Sequence, residues 1–171
     1  MEEKNKENSK YQIIANYVKD LSFEIPSPDC FVDAAQNLGK YETKVDISNK
    51  PLKNGMLELN CKLIFEAPKE VQNKIHAEAC LAVIFKIIDN ELKAEEVRKV
   101  ILVEIPDLYA KKLTDLITEL FQKSGFKEFK FKKEINFKEL YEQQSANLTQ
   151  KYYKHPFLKI FYILPFVLVK L

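Results

Sequence analysis

The chain has 171 residues, 46% of them hydrophobic, which suffices for one proper core and makes two independent domains a stretch. Its 27 basic and 25 acidic residues leave a formal charge of +2 spread along the chain, so bulk electrostatics do not mark a nucleic-acid binder. Three cysteines, Cys30, Cys61 and Cys80, sit at spacings that match no zinc or redox motif, and read as reduced, buried thiols of a cytosolic protein.

Residues 1–10 mix Glu, Lys and Asn without an apolar stretch, which predicts a disordered tail and excludes a secretory signal peptide. From Tyr11 to Ile25 the odd positions are Tyr11, Ile13, Ala15, Tyr17, Lys19, Leu21, Phe23 and Ile25, apolar but for Lys19, and the even ones include Gln12, Asn16, Asp20, Ser22 and Glu24. This is the period of a long strand, with Asp20, Ser22 and Glu24 on its solvent side and Leu21 and Phe23 on its buried side. Pro26 and Pro28 end it. Lys40 to Ser48 alternates again, Pro51 to Gly55 supplies a turn, and a third strand places Leu57, Leu59, Cys61, Leu63 and Phe65 opposite Glu58, Asn60, Lys62 and Glu66.

A fourth strand, Lys74 to Asp89, carries Ile75, Ala77, Ala79, Leu81, Val83 and Phe85 on one face. Its other face starts polar with Lys74, His76 and Glu78 and turns apolar at Cys80, Ala82 and Ile84, which predicts cover on both sides and hints at a subunit contact. The period then changes. Asn90 to Ile105 and Asp107 to Lys123 read as helices separated by Pro106, the second with Tyr109, Leu113, Leu116, Ile117 and Leu120 at helical spacing and Gly125 at its stop. After a short Phe129 and Phe131 stretch, Asn136 and Glu139 have capping-box spacing and open a helix through about Tyr152. The sum is an α+β domain over residues 11–152, a four-stranded antiparallel sheet followed by packed helices.

Residues 153–171 form an atypical hydrophobic tail. Its uncharged run, Ile160 to Val169, is about half of what a membrane-spanning helix needs, so no membrane span is expected. Exposed, such a run invites aggregation, which leaves packing against the domain, burial between subunits, or contact with a membrane surface.

Catalytic chemistry fares badly. With two histidines, three glycines and no tryptophan, the chain has no phosphate-cradling loop, nucleophile elbow or paired-histidine metal motif. His76 and Glu78, two apart on one strand face, suit an acid/base or metal pair, although plain surface explains that spacing more simply. If the first and fourth strands share a sheet, Asp20, Glu24 and Glu78 gather on one exposed face, which suits a basic partner segment; an ordinary solvated face has the same spacing.

The stretch YQIIANYVKDLSFEIP, Tyr11 to Pro26, resembles the opening strand of the bacterial export chaperone SecB. The match lies in Tyr17, Lys19, Asp20, Ser22, Phe23, Glu24 and Pro26, and weaker pieces follow in order at Val45–Asn49, Ala77–Phe85, Pro106 and Ile135–Tyr141. The resemblance implies a cytoplasmic, ATP-independent holdase, a dimer of dimers without a cofactor, that binds unfolded preproteins in apolar grooves and passes them to the SecA motor. It implies that Asp20, Glu24 and Glu78, with His76 at the edge where the family has an apolar residue, dock SecA's basic tail. Ala77, Ala79 and Leu81 would hold the dimers together. Client-groove candidates are Phe31 and Leu38 in the loop after the first strand, and Leu116 and Leu120 of the helix beyond Pro106, which a core role explains as simply. A second expectation is a SecB-like adaptor dedicated to one partner such as an antitoxin. The chain departs from the family in lacking the Trp-Pro of that loop, in carrying Lys111 to Thr114 where Pro-Tyr-Ala-Arg is usual, in being near neutral, and in its apolar tail.

Overall fold

The computed structural model describes residues 10–131 and 134–143 and the backbone of 167–169. The expected N-terminal tail, the helix beyond residue 143 and most of the C-terminal tail lie outside the described residues. Strand β1 (Tyr11–Glu24) is followed by helix α1 (Pro28–Asn37), strands β2 (Glu42–Pro51), β3 (Met56–Glu66) and β4 (His76–Ile87), helices α2 (Ala94–Lys99) and α3 (Ile105–Lys123), and strand β5 (Val167–Val169). The strands form one antiparallel sheet in the order β1-β4-β3-β2-β5. The α+β expectation holds, with a fifth strand added from the tail.

One face of the sheet is the core. Ala77, Ala79, Leu81, Val83 and Phe85 of β4 and Leu59, Cys61, Leu63 and Phe65 of β3 are buried. Over them lies α3, whose Tyr109, Leu113, Ile117 and Phe121 recur every four residues and are all buried. Full burial of each such aliphatic or aromatic side chain favours folding by about 1.5–3 kcal/mol. The β2–β3 turn needs left-handed backbone, supplied by Asn54 (φ 61°) and Gly55 (φ 71°).

Three local features differ from the sequence expectation. The segment after Pro26 is helical: Ser27 Oγ accepts the Cys30 amide at 3.2 Å, Pro28 takes a first-turn position and Asp29 adds a negative charge there. Pro106 does not divide two helices. Residues Val100–Glu104 widen into a π-helical turn between α2 and α3, and Pro106 falls in the first turn of α3. Within a continuous helix a proline removes a hydrogen bond and crowds the carbonyl four residues back, and the wider turn accommodates both. Finally, β1 does not keep one alternation. Its register against β4 slips between Ile13 and Ala15 and again between Val18 and Asp20. Each slip exchanges the two faces of the strand. Leu21 and Phe23 stay on the core side opposite Ala79 and Ala77, whereas Ala15 and Tyr17 turn to the open side opposite Ile84 and Ala82.

Among the described residues no helix is long and apolar enough to cross a membrane. Cys30, Cys61 and Cys80 are free and buried. Burial pushes the Cys61 thiol up to about 12, which leaves it unreactive at neutral pH.

Candidate partner-binding surfaces

Two surfaces stand out, a cleft on the helix side and the open face of the sheet. The cleft, about 590 Å³, lies between α1, the sheet end and the segment after α3. Phe31 and Leu38 line it together with Tyr41, Phe65, Phe126 and Phe131. The aromatic wall is continuous with the core. The Phe31 and Phe126 rings are 4.8 Å apart, Tyr41 stacks on Phe65 at 5.1 Å, and Phe65 meets Phe129 edge-on at 5.5 Å. Gly125, with φ 107°, makes the close approach feasible, since a Cβ there would stand 3.0 Å from the Phe31 ring.

This arrangement joins two of the four residues expected in a client groove. Leu116 and Leu120 are half-buried, pack against the core cluster and do not line the cleft. Most of the cleft's aromatics were not singled out from the sequence. The available signal was the density of rings in FQKSGFKEFKF, Phe121 to Phe131, whose phenylalanine spacing matches neither helix nor strand.

On the open face, the cross-strand pairs Ser22–Glu78, Glu24–His76 and Asp20–Cys80 bring Asp20, Glu24, His76 and Glu78 together as expected. Their states differ. Glu78 is largely covered and paired to Lys62 Nζ at 2.5 Å, with His76 Nε2 at 3.7 Å. Asp20 and Glu24 are exposed and have no ion-pair partner among the described residues. His76 and Glu78 line neither the aromatic cleft nor a second, polar cleft beside α3. Among the described residues no group of three or more potential metal ligands forms.

Beside these carboxylates the slipped register of β1 builds a polar network. The Tyr17 hydroxyl donates to Glu58 Oε1, and Lys19 Nζ donates to Glu58 Oε2 at 2.9 Å and to Asn60 Oδ1 at 3.0 Å. Ala82 lies between Tyr17 and Asn60 in the register and has no accessible surface. Of the apolar positions on this face of β4, expected to be covered on both sides with a hint of a subunit contact, Cys80 and Ala82 are buried within the single chain and Ile84 is half-buried. Ala77, Ala79 and Leu81, expected at an oligomer interface, have no accessible surface and form the core floor beneath α3. A subunit contact through them would require the core to open.

The network sets a pH signature. The Tyr17 hydrogen bond, then Lys19, holds the Glu58 carboxyl below the usual carboxylate range, and Glu58 in turn holds the Tyr17 phenol and the Lys19 ammonium above theirs. A lowered carboxylate stabilises fully above the unfolded value of about 4.3 and loses that contribution as pH falls through the lowered one. Raised Tyr and Lys values contribute fully below about 10 and lose it as pH rises through the raised ones. In urea-denaturation midpoints taken across pH, Glu58→Gln is expected to flatten the decline at both ends; slopes identical to the parent would show that the network does not act in folding.

The single antiparallel sheet with helices packed on one face defines an α+β fold, with the aromatic cleft at one end of the sheet. The family model described as "Preprotein translocase subunit SecB" matches residues 4–148, and the chain belongs to the SecB family. A putative protein-export protein SecB of Pelagibacter ubique is 33% identical over 135 residues, covering 79% of this chain and 96% of that one. The protein-export protein SecB of Rhodospirillum centenum is 27% identical over 133 residues, covering 78% of each. Among solved structures, a SecB-like chaperone of Mycobacterium tuberculosis in complex with an antitoxin peptide superposes with a TM-score of 0.52 at 10% identity, over 73% of this chain and 91% of that one, a likeness of fold.

Proposed function

We propose that the protein is a cytoplasmic, ATP-independent holdase for protein export, which binds unfolded preproteins in the aromatic cleft and delivers them to SecA from the open sheet face. The observation that carries this reading is the family match over residues 4–148 joined to a cleft walled by Phe31, Leu38, Tyr41, Phe65 and Phe126. Such a surface takes extended apolar segments by burial, which is sequence-tolerant and needs no nucleotide. Assembly into a dimer of dimers would use β1 rather than the core residues of β4. β1 is the outermost strand and leaves Ile14, Tyr17, Val18 and Leu21 exposed, at 48%, 40%, 42% and 42%. A long apolar edge of that kind invites a second copy.

The test is suppression of aggregation of an unfolded precursor without ATP at near-stoichiometric ratios. The double variant Phe31→Ser with Leu38→Glu is expected to need about tenfold more protein for equal protection, as a charge enters the apolar cleft. Absence of protection by the parent at tenfold excess would sink the reading. In a pull-down, many unrelated unfolded clients support it, whereas one stoichiometric partner would make the protein a dedicated adaptor. Light scattering should give a tetramer.

A further inference from the structure

The β1 and β2 margins of the sheet are treated differently. β1 has no strand beyond it among the described residues, whereas the chain's own C-terminal segment pairs with β2, antiparallel, with Val45 opposite Val167, Lys44 opposite Leu168 and Thr43 opposite Val169. β2 is ten residues long, so Asp46 to Pro51 lie beyond the recorded pairing with β5. The paired stretch lies at the cleft end of the strand: Thr43 is opposite Phe65, a cleft-lining ring, and Tyr41 immediately precedes β2. The tail segment Pro165 to Leu171, PFVLVKL, is rich in β-branched and aliphatic residues, the composition of an extended apolar client.

We infer that the β2 edge is a backbone-pairing site for an extended apolar polypeptide, and that the C-terminal strand is a tethered occupant which a client segment must displace. The three pairs among the described residues make a short ladder, which the covalent tether favours by raising the local concentration of the tail. A client strand that pairs with Thr43 to Val45 replaces β5 residue by residue. The site is read by main-chain hydrogen bonds, with side chains contributing only apolar character, so it is sequence-tolerant like the cleft but distinct from it. Only the identity of the occupant as a client rests on the proposed function; the competition itself does not.

The test uses the full-length chain with Val167→Pro and Leu168→Pro together. Successive strand amides point to opposite edges, so the pair removes a donor whichever of the two faces β2. The probe is a fluorescent peptide of the protein's own residues 165–171. Hydrogen exchange of the 42–46 backbone should accelerate in the variant while β3 is unchanged, and the peptide should bind the variant at least about tenfold tighter than the parent. The same peptide N-methylated on alternate amides should fail to bind. Equal affinity for variant and parent, unchanged exchange, or undiminished binding of the N-methylated peptide would each overturn the inference, as would a parent whose tail pairing disappears on dilution to monomer. Peptide competition without suppression of precursor aggregation would leave the inference standing and defeat the holdase reading instead.

Discussion

Phe121→Ala is expected to destabilise the protein by about 3–5 kcal/mol, the range for removing a buried phenylalanine from a tightly packed site. Phe121 is fully buried on α3, stacks on Phe129 at 4.0 Å, and meets Phe23 at 4.8 Å, Phe65 at 5.0 Å and Phe126 at 5.6 Å. It therefore joins β1, β3, α3 and the segment after α3 in one aromatic cluster. Deleting it opens a hole that no neighbour fills without dragging the cleft wall inward, because Phe126 and Phe129 line the cleft and lean on it. Against a typical total of about 5–15 kcal/mol, the loss should leave the variant marginal at 37 °C. Half-buried Leu120, one residue earlier, should lose clearly less as Leu120→Ala, since its face of α3 is not enclosed. Urea denaturation followed by circular dichroism measures both, and a loss below about 1 kcal/mol for Phe121→Ala would mean that the cluster repacks and is not the keystone of the cleft.

Much of the sheet was legible because period-two patterning survives wherever one face is covered. β3 and β4 show it: Leu59 to Phe65 and Ala77 to Phe85 face the helices as their alternation predicts. β1 was legible at its ends and misleading in its middle. A bulge inserts one residue without changing composition, so nothing in Tyr17-Val18-Lys19-Asp20 announces that Tyr17 turns to the open face. The one oddity was Lys19 on the supposedly buried side, and the bulge explains it, since Lys19 reaches Glu58. α1 was legible in principle, because Ser-Pro-Asp at Ser27–Asp29 is a helix start; two prolines flanking the serine masked it as a strand end. Pro106 failed as a breaker because the helix can absorb a proline by widening a turn, which depends on tertiary packing and not on local sequence. Ala77 and Ala79 illustrate the limit for sites. Small residues on a strand suit a close subunit contact and a close helix equally well, and only the position of α3 decides between them. The same holds for the cleft: its rings come from α1, β3 and the segment after α3, and no sequence spacing records that convergence.

Reversing two charges on the open face, Asp20→Lys with Glu24→Lys, is expected to weaken binding of a basic, SecA-type tail about 100-fold or more, the result of turning two attractive contacts repulsive on a partly desolvated surface. The geometry says why these two and not the other acids. Glu58 is held by Tyr17 and Lys19, and Glu78 by Lys62, so their charges are already answered within the chain. Asp20 and Glu24 project from the outermost strand and flank Glu78 diagonally, exposed and without an ion-pair partner among the described residues. Glu78→Gln should cost less than the double reversal, because it changes the charge of the face by one unit rather than by four. Added salt should weaken the parent interaction but weaken that of the double reversal less, since it screens the new repulsion at these two sites as it screened the attraction. Titration calorimetry at two salt concentrations separates the cases, and light scattering checks that the assembly, which would use the apolar side chains Ile14, Val18 and Leu21 of the same strand, is unchanged. Unaltered affinity in the double reversal would remove the open face as the docking surface and leave the aromatic cleft and the β2 edge as the chain's means of engaging other polypeptides.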